Sequence, residues 1–406
     1  MTDKIGFADE AETTGKAGPE GGAVGVGKAG AAGKAGAAGT GTARIAGVDL
    51  VAAATFDPED EYRPEPVPEP LPPAWLEGGL RIGMHTSIAG SHVNALESAA
   101  KLGCSALQIF SVNPRMWAGG GIGARITEVE AKAFRDRREV LGLGPLVIHA
   151  NYLINLAAPA PMLRTRSIQS FHEELVRGVA LGADFIVVHP GSCTDGKPEQ
   201  AVRSVIDSVK QALKRLQPTS MRILIENTAG MGSAVGSRLE EVGEIVAGLS
   251  ALGVGACLDT AHLFAAGYDI RTAPGLESTI ELIDQTIGLQ NVAVIHANDS
   301  KIALGGRVDR HEHIGKGKIG AEAFRRILTH PRLGAAYPDG LPGRAFIAET
   351  PIEDPGDDRK NVAALWELAG LSDRAPEAEK GYSMLTAAAK KKALEMQKAG
   401  KKKKAK

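Results

Sequence analysis

From Gly79 to Gly370 the chain alternates between short apolar runs and longer segments of helical periodicity, and that rhythm leaves few folds open. The apolar runs are Leu80–His85, Ala106–Val112, Leu146–His149, Phe185–His189, Ile223–Glu226, Ala256–Asp259, Val292–His296 and Ala345–Glu349. Their near-continuous apolar character is that of strands buried on both faces. Between them, Glu128–Leu141, Ser167–Leu181, Ala201–Leu216 and Leu239–Leu249 repeat apolar residues at helical spacing, and Val362–Leu368 follows the eighth run. Eight strand–helix units predict an α/β fold, a (β/α)8 TIM barrel, whose usual size is about 250 residues before insertions. An open doubly wound sheet would normally offer a glycine-rich phosphate loop after its first strand. Met84-His-Thr-Ser-Ile-Ala-Gly90 is not that fingerprint.

The strand ends carry the chemistry. The third run ends in His149, the fourth in His189, the fifth in Glu226 and the sixth in Asp259, with His262 one turn beyond. The seventh ends in His296, its following loop carries Asp309 and His311, and the eighth ends in Glu349. In a barrel these C-terminal strand ends surround one mouth, where active sites are built. Five imidazoles and four carboxylates crowded there would repel, or lose several kcal/mol per desolvated carboxylate, unless cations neutralise them. A single histidine at a strand end is usually a hydrogen-bonded structural residue. Nine such residues in register call for another explanation, and metal ligation supplies it.

Ligand arithmetic sets the number of ions. Zinc usually takes three or four protein ligands and keeps a position open for water at catalytic sites. Nine ligands with one bridging carboxylate suit three ions, and nitrogen-rich ligation favours Zn²⁺ over Mg²⁺, with Mn²⁺ or Fe²⁺ able to replace one. Ions clustered around one hydroxide suit in-line displacement at phosphorus.

Several segments resemble the endonuclease IV family of apurinic/apyrimidinic endonucleases. They are His149-Ala-Asn-Tyr-Leu-Ile-Asn-Leu156, His189-Pro-Gly-Ser192, Ile225-Glu-Asn-Thr-Ala-Gly230, Leu258-Asp-Thr-Ala-His-Leu-Phe-Ala-Ala-Gly-Tyr-Asp269, Asn298-Asp-Ser-Lys301 and Val308-Asp-Arg-His311. The similarity runs over the barrel and excludes both tails. It implies a trinuclear zinc hydrolase that incises double-stranded DNA 5′ to abasic sites, leaves 3′-hydroxyl and 5′-deoxyribose phosphate ends, and trims blocked 3′ ends. By motif, His149, His189 and Glu226 would hold the first zinc. Glu226 would bridge to a second, also held by Asp259, His296 and Glu349, and His262, Asp309 and His311 would hold the third. Glu226 and Glu349 would orient the metal-bound hydroxide that attacks. In Asn113-Pro-Arg-Met-Trp117 the resemblance makes Asn113 and Arg115 DNA contacts, with Arg115 filling the gap left by the flipped-out nucleotide. Tyr152 and Leu153 match residues that press on the DNA near the lesion. Met116 departs from the polar residue usual in the family, and Trp117 reads as a packing anchor.

Other residues are set aside. His85 ends the first run but matches no ligand position. His92 and His313 are expected in polar loops, His172 and His330 on helices, and Cys193 on a loop pointing away from the metals. Asn227 and Asn298 are expected to support the ligands.

Composition bears on the ends. Residues 1–48 are mostly Gly, Ala, Thr and Lys, and residues 57–73 are acidic and proline-rich. The first buries too little apolar surface to order itself, and the second forms an extended linker. From Lys390 to Lys406 nine lysines face one acid, Glu395. Such a run binds phosphate backbones without sequence preference or remains a solvated tail. The chain thus divides into a disordered segment and linker at 1–78, the barrel at 79–371 and a basic, disordered tail at 372–406. No run is long enough to cross a bilayer and none has the apolar core of a secretory signal. Three cysteines, Cys104, Cys193 and Cys257, with no paired spacing, point to a reducing, cytoplasmic setting. The resemblance implies a monomer. A sugar isomerase or epimerase on the same barrel is the alternative reading, but His262, Asp309 and His311 are surplus to its one or two ions. A DNA-binding protein with purely structural metals ranks last, because structural zinc sites are mostly Cys-rich.

Overall fold

The computed structural model describes residues 79–374, apart from Met116 and residues 118–125, 195–196, 215, 217–218 and 335–343. The segment expected to be disordered over 1–78 and the lysine run of the tail lie outside the described residues. The elements run β1 (Arg81–His85), α1 (His92–Lys101), β2 (Ala106–Phe110), α2 (Glu128–Leu141), β3 (Leu146–His149), α3 (Pro161–Leu181), β4 (Phe185–Val188), α4 (Pro198–Leu213), β5 (Arg222–Glu226) and α5 (Leu239–Gly248). They continue with β6 (Gly255–Asp259), α6 (Thr260–Ala266), α7 (Ala273–Thr286), β7 (Val292–His296), β8 (Asp299–Ser300), β9 (His311–Glu312), α8 (Ala321–Thr329), β10 (Ala345–Ala348) and α9 (Asp357–Leu368).

All eight long strands pair in parallel and close into a barrel in the order β1-β10-β7-β6-β5-β4-β3-β2. Two apolar layers result, as expected of this architecture. Ala106, Val147, Val187, Leu224, Cys257, Val294, Ala345 and Ile347 fill the barrel interior. A larger cluster, including Ile82, Leu107, Ile148, Ile186, Ile225 and Phe346, lies between the strands and the helices. At Gly83 a Cβ would sit 2.3 Å from the Ala106 carbonyl and 2.8 Å from Ile347 Cδ1, so glycine is required where β1 meets β2 and β10.

Local signals explain most boundaries. Thr127 and Glu130 form a reciprocal capping box at the start of α2, and Gly142 closes it in the left-handed conformation. Pro161 and Pro198 occupy the first turns of α3 and α4, so both helices begin earlier than their apolar periodicity suggests. α9 starts at Asp357, ahead of the expected Val362, because Asp357 and Asp358 complement its N-terminus. Two expectations are corrected. His92 is not in a polar loop: it opens α1, which Ser91 caps, and its Nε2 lies 2.9 Å from the Ser111 carbonyl. His330 is the residue just past α8 rather than within it.

The three cysteines are free and buried. Burial disfavours the thiolate and pushes the Cys104 and Cys257 thiols up to about 12. Neither thiol should react with a disulfide reagent at pH 8 until the protein unfolds. A fast-reacting signal that disappears in Cys104→Ser or Cys257→Ser would contradict this.

Candidate metal centre

Strand periodicity builds the site. Side chains at every second position face the barrel interior. Two residues beyond each interior apolar residue the strands carry a polar one: Val147 precedes His149, Val187 His189, Leu224 Glu226, Val294 His296 and Ile347 Glu349. Cys257 precedes Asp259 in the same way, just after a register irregularity at Ala256/Cys257. The remaining two strands complete the ring, with Gly83 before His85 and Ala106 before Gln108. His189 and Glu349 lie one residue beyond the hydrogen-bonded ends of β4 and β10.

Glu226 is the hub. It is 0% exposed, and its carboxylate lies 2.8 Å from His296 Nδ1, 3.3 Å from His149 Nε2, 3.4 Å from His189 Nε2 and 3.6 Å from His262 Nδ1. Three groups of side chains gather closely enough to share an ion, with candidate ligand atoms within 4.8 Å of one another. They are His149, His189 and Glu226; Glu226, Asp259, His296 and Glu349; and Asp259, His262 and His311. Asp309 joins the last group from the side, with Oδ2 3.2 Å from His262 Nε2 and Oδ1 3.1 Å from His311 Nε2. All nine residues expected at the mouth are therefore together. One detail differs from the expected partition: Asp259, 3.6 Å from His311 Nε2, reaches the third group as well as the second.

The flanking loops are fixed by polar contacts. Asp259 caps α6, its Oδ1 accepting the His262 N–H at 2.7 Å, and this sets His262 one turn beyond the strand. β8 and β9 form a short antiparallel pair, Asp299 opposite Glu312 and Ser300 opposite His311. The fully buried Asp299 carboxylate accepts N–H groups from Ser300, Gly317, Ile319 and Gly320, at 2.8, 2.9, 2.9 and 3.2 Å. It thereby closes the loop that carries Asp309 and His311. A Cβ at Gly317 would stand 2.4 Å from that carboxylate.

The expected support from Asn227 and Asn298 is present. Asn227 Oδ1 accepts the Asp259 N–H at 2.7 Å and its carbonyl oxygen lies 3.0 Å from His262 Nδ1. Asn298 donates to Asp259 Oδ2 at 2.6 Å and to Glu349 Oε2 at 3.3 Å, and its Oδ1 accepts the Glu349 N–H at 2.7 Å. Asn298→Ala should lower metal retention by about 10–100-fold, the usual effect of removing such a partner. Metal content after dialysis against graded chelator measures it, and wild-type retention would contradict it.

Electrostatics agree with a cation site. Burial opposes ionisation of Glu226, but His189, His296 and His149 outweigh it and hold the carboxyl well below its ordinary range. Burial likewise opposes ionisation of Glu349 and Asp309. For Glu349, His296 prevails, and for Asp309, His262 and His311 prevail, so both carboxyls are pushed down. Burial lowers the imidazoles of His262 and His311, but the Asp259 and Asp309 carboxylates overcome it and raise them to about 10 and about 9. His311 Nε2 is buried without a well-aligned hydrogen bond. An all-imidazole and carboxylate donor set fits hard-to-borderline divalent ions.

The mouth opens into a cavity of about 560 Å³ lined by His85, Tyr152, His189, Lys301, Arg310, Glu349 and neighbours. A second, of about 680 Å³, lies beyond Tyr152 and includes Trp117, Leu153, Ser192 and Met231. Tyr152 is 62% exposed and stands in both walls, its ring 5.2 Å from Phe110 and 5.8 Å from His149. Partial desolvation of the hydroxyl and the carboxylates of Glu349 and Glu226 raise its phenol to about 12, so it stays neutral. Leu153 is half-buried, its N–H donating to Asn151 Oδ1 at 2.7 Å. Asn113 and Arg115 are exposed on the loop after β2, the Asn113 side chain accepting the Arg115 N–H at 3.0 Å. Arg115 lines neither cavity. Met116 lies outside the described residues. Trp117 is half-buried in the wall of the second cavity, with the Arg166 guanidinium 4.3 Å over its ring. Cys193 is buried in the core and joins none of the three groups.

One residue was missed at the sequence level: Gln108 is 0% exposed and touches both His296 and Glu349. His85, set aside as a ligand on the sequence, lines the cavity at the end of the first strand, 3.5 Å from Glu349. The available signal was the polar residue inside the otherwise apolar Ala106-Leu-Gln-Ile-Phe110.

A family model described as the xylose isomerase-like TIM barrel matches residues 96–366. A relative named probable endonuclease 4 from Solibacter usitatus is 46% identical over 295 residues, covering 72% of this chain and 97% of the relative. Another of that name, from Chloroflexus aurantiacus, is 41% identical over 292 residues, covering 71% and 98%. Among solved structures, endonuclease IV from Thermus thermophilus superposes with a TM-score of 0.60 at 38% identity, covering 71% of this chain and 99% of that one. A D-tagatose 3-epimerase-like protein shares the fold, with a TM-score of 0.54 at 19% identity, covering 72% and 98%.

Proposed function

The chain belongs to the endonuclease 4 family within the xylose isomerase-like TIM barrels, and from that premise we propose that it is a DNA-repair hydrolase that incises duplex DNA 5′ to abasic sites. Cleavage leaves a 3′-hydroxyl and a 5′-deoxyribose phosphate, and the same site trims blocked 3′ ends. The observation that carries this reading is the gathering of five imidazoles and four carboxylates in overlapping groups around Glu226.

The donor set suits three zinc ions, with Mn²⁺ able to stand at one position. His149, His189 and Glu226 would hold the first, and Glu226, Asp259, His296 and Glu349 the second. His262, Asp309 and His311 would hold the third, with Asp259 near enough to assist. When bound, the ions act as Lewis acids, lowering the pKa of water and neutralising charge on the phosphodiester. Glu226 and Glu349 orient the attacking oxygen. Tyr152 offers a neutral phenol and an aromatic face beside the reacting centre, and Leu153 presses on the DNA from the same loop. Asn113 and Arg115, on an exposed turn, approach the gap opened by nucleotide flipping. Arg310 and Lys301, the latter paired with Glu353 at 3.0 Å, line the cavity wall and would offer positive charge to a backbone phosphate. Three free, buried cysteines support a reducing, cytoplasmic setting, and the expected solution state is a monomer. Among the described residues no helix is long and apolar enough to cross a membrane.

The test uses a duplex with one abasic-site analogue, without added magnesium and after brief chelator treatment. Incision on the 5′ side that survives the chelator supports the reading. No incision, with one or two ions per chain and turnover of a ketose, would replace it with the epimerase reading.

A further inference from the structure

Gln108 stands in the same ring as the candidate ligands, on the strand beside β1 and β3, yet it cannot bind a divalent ion as a carboxylate or imidazole does. Its amide makes three contacts. Oε1 lies 2.8 Å from His296 Nε2, and Nε2 lies 2.5 Å from Glu349 Oε1 and 3.0 Å from His85 Nδ1. The orientation of this amide follows from its neighbours. An ionised carboxylate only accepts hydrogen bonds, so the amide NH₂ must face Glu349. The carbonyl oxygen is then left for His296, whose Nε2 must carry a hydrogen. The second amide hydrogen is left for His85, whose Nδ1 must accept it.

The consequence reaches two ligands at once. With its Nε2–H committed to Gln108, His296 turns Nδ1 toward Glu226, at 2.8 Å, and toward Glu349 Oε2, at 3.2 Å. With Oε1 committed to Gln108, Glu349 presents Oε2 to the same point. From this geometry we propose that Gln108 is a positioning residue for the metal held by Glu226, Asp259, His296 and Glu349, selecting His296 Nδ1 and Glu349 Oε2 as the atoms that face the ion. The assignment rests on reading this pocket as a metal centre. It is local: the three contacts of the amide go to His296, Glu349 and His85, not to His189 or His262.

The test reads metal, not incision. Wild-type protein, Gln108→Leu and Gln108→Glu are loaded with zinc, and ion release into a chromogenic chelator is followed with time. Leucine nearly keeps the volume and removes all three contacts. Glutamate is isosteric but sets an oxygen against Glu349, so it retains shape while losing the donor. Both variants should release one ion about 10–100-fold faster than wild type and hold the other two at wild-type rates. Val147→Ala, which thins the interior layer beneath the ring, should lower the melting temperature without altering release. Equal release from wild type and both Gln108 variants would overturn the proposal while leaving the metal reading intact. Equal acceleration in Val147→Ala would reduce Gln108 to ordinary packing and overturn it too. A wild-type protein that takes up no zinc would overturn both the proposal and the metal reading on which it rests.

Discussion

Glu226→Gln should lower abasic-site incision by far more than the about 10–100-fold expected from losing a supporting contact. Glu226 belongs to two of the three ligand groups, and four imidazoles lie within 3.6 Å of its carboxylate. An amide keeps the volume but removes the charge that holds these rings together, and it presents an NH₂ group where a ligand oxygen is needed. Two ions should be weakened together. Removing one partner of a buried charged set also destabilises the fold, by about 3–5 kcal/mol in typical cases. Initial rates on the abasic duplex, metal analysis and thermal melting should therefore all move. A variant with wild-type metal content and a rate within tenfold of wild type would refute the central role of this carboxylate.

Exhaustive chelation should abolish incision, and restored zinc should return it. The stripped protein should also show a distinctive pH dependence. His262 and His311 are raised to about 10 and about 9, above the ordinary imidazole value of about 6.5. A raised imidazole contributes stability that is fully present below about pH 6.5 and is lost as pH rises through about 9 to 10. Glu226, Glu349 and Asp309 are depressed. Their contribution is present above the usual carboxylate range near about pH 4 and is lost as pH falls below it. The stripped protein should thus melt highest between about pH 5 and 6.5 and lose stability on both sides. Because both raised histidines are cationic at about pH 7.5, zinc uptake there should release protons and tighten as pH rises. Zinc binding that is independent of pH between about 6 and 9 would contradict this picture.

Much of this site is legible in the chain because a buried parallel strand obeys a simple rule. Its interior residues alternate, and its C-terminal end faces the mouth. His149, Glu226, Asp259 and His296 are final strand residues, His189 and Glu349 follow directly, and their residue types alone announce the chemistry. His262, Asp309 and His311 are legible by type and proximity in sequence. Other features escape such reading. β8 and β9 are two residues each, too short for any period to register, and α6 is barely two turns. A glutamine among apolar neighbours, such as Gln108, is equally consistent with an exposed edge position. Asp299 reads as a loop residue until the N–H groups of Gly317, Ile319 and Gly320, some twenty residues on, are seen to converge on it.

The sequence by itself therefore determined the barrel, the mouth and the nine residues at its rim. These follow from periodicity and residue type, which are local properties of the chain. The tertiary structure decided which side chains gather into each candidate group, that Asp259 reaches two of them, and that His85 and Gln108 complete the ring. Those facts depend on the register between neighbouring strands and on hydrogen bonds between residues up to 241 positions apart, as in the Gln108–Glu349 contact. Barrel closure creates those distances, and no local pattern encodes them.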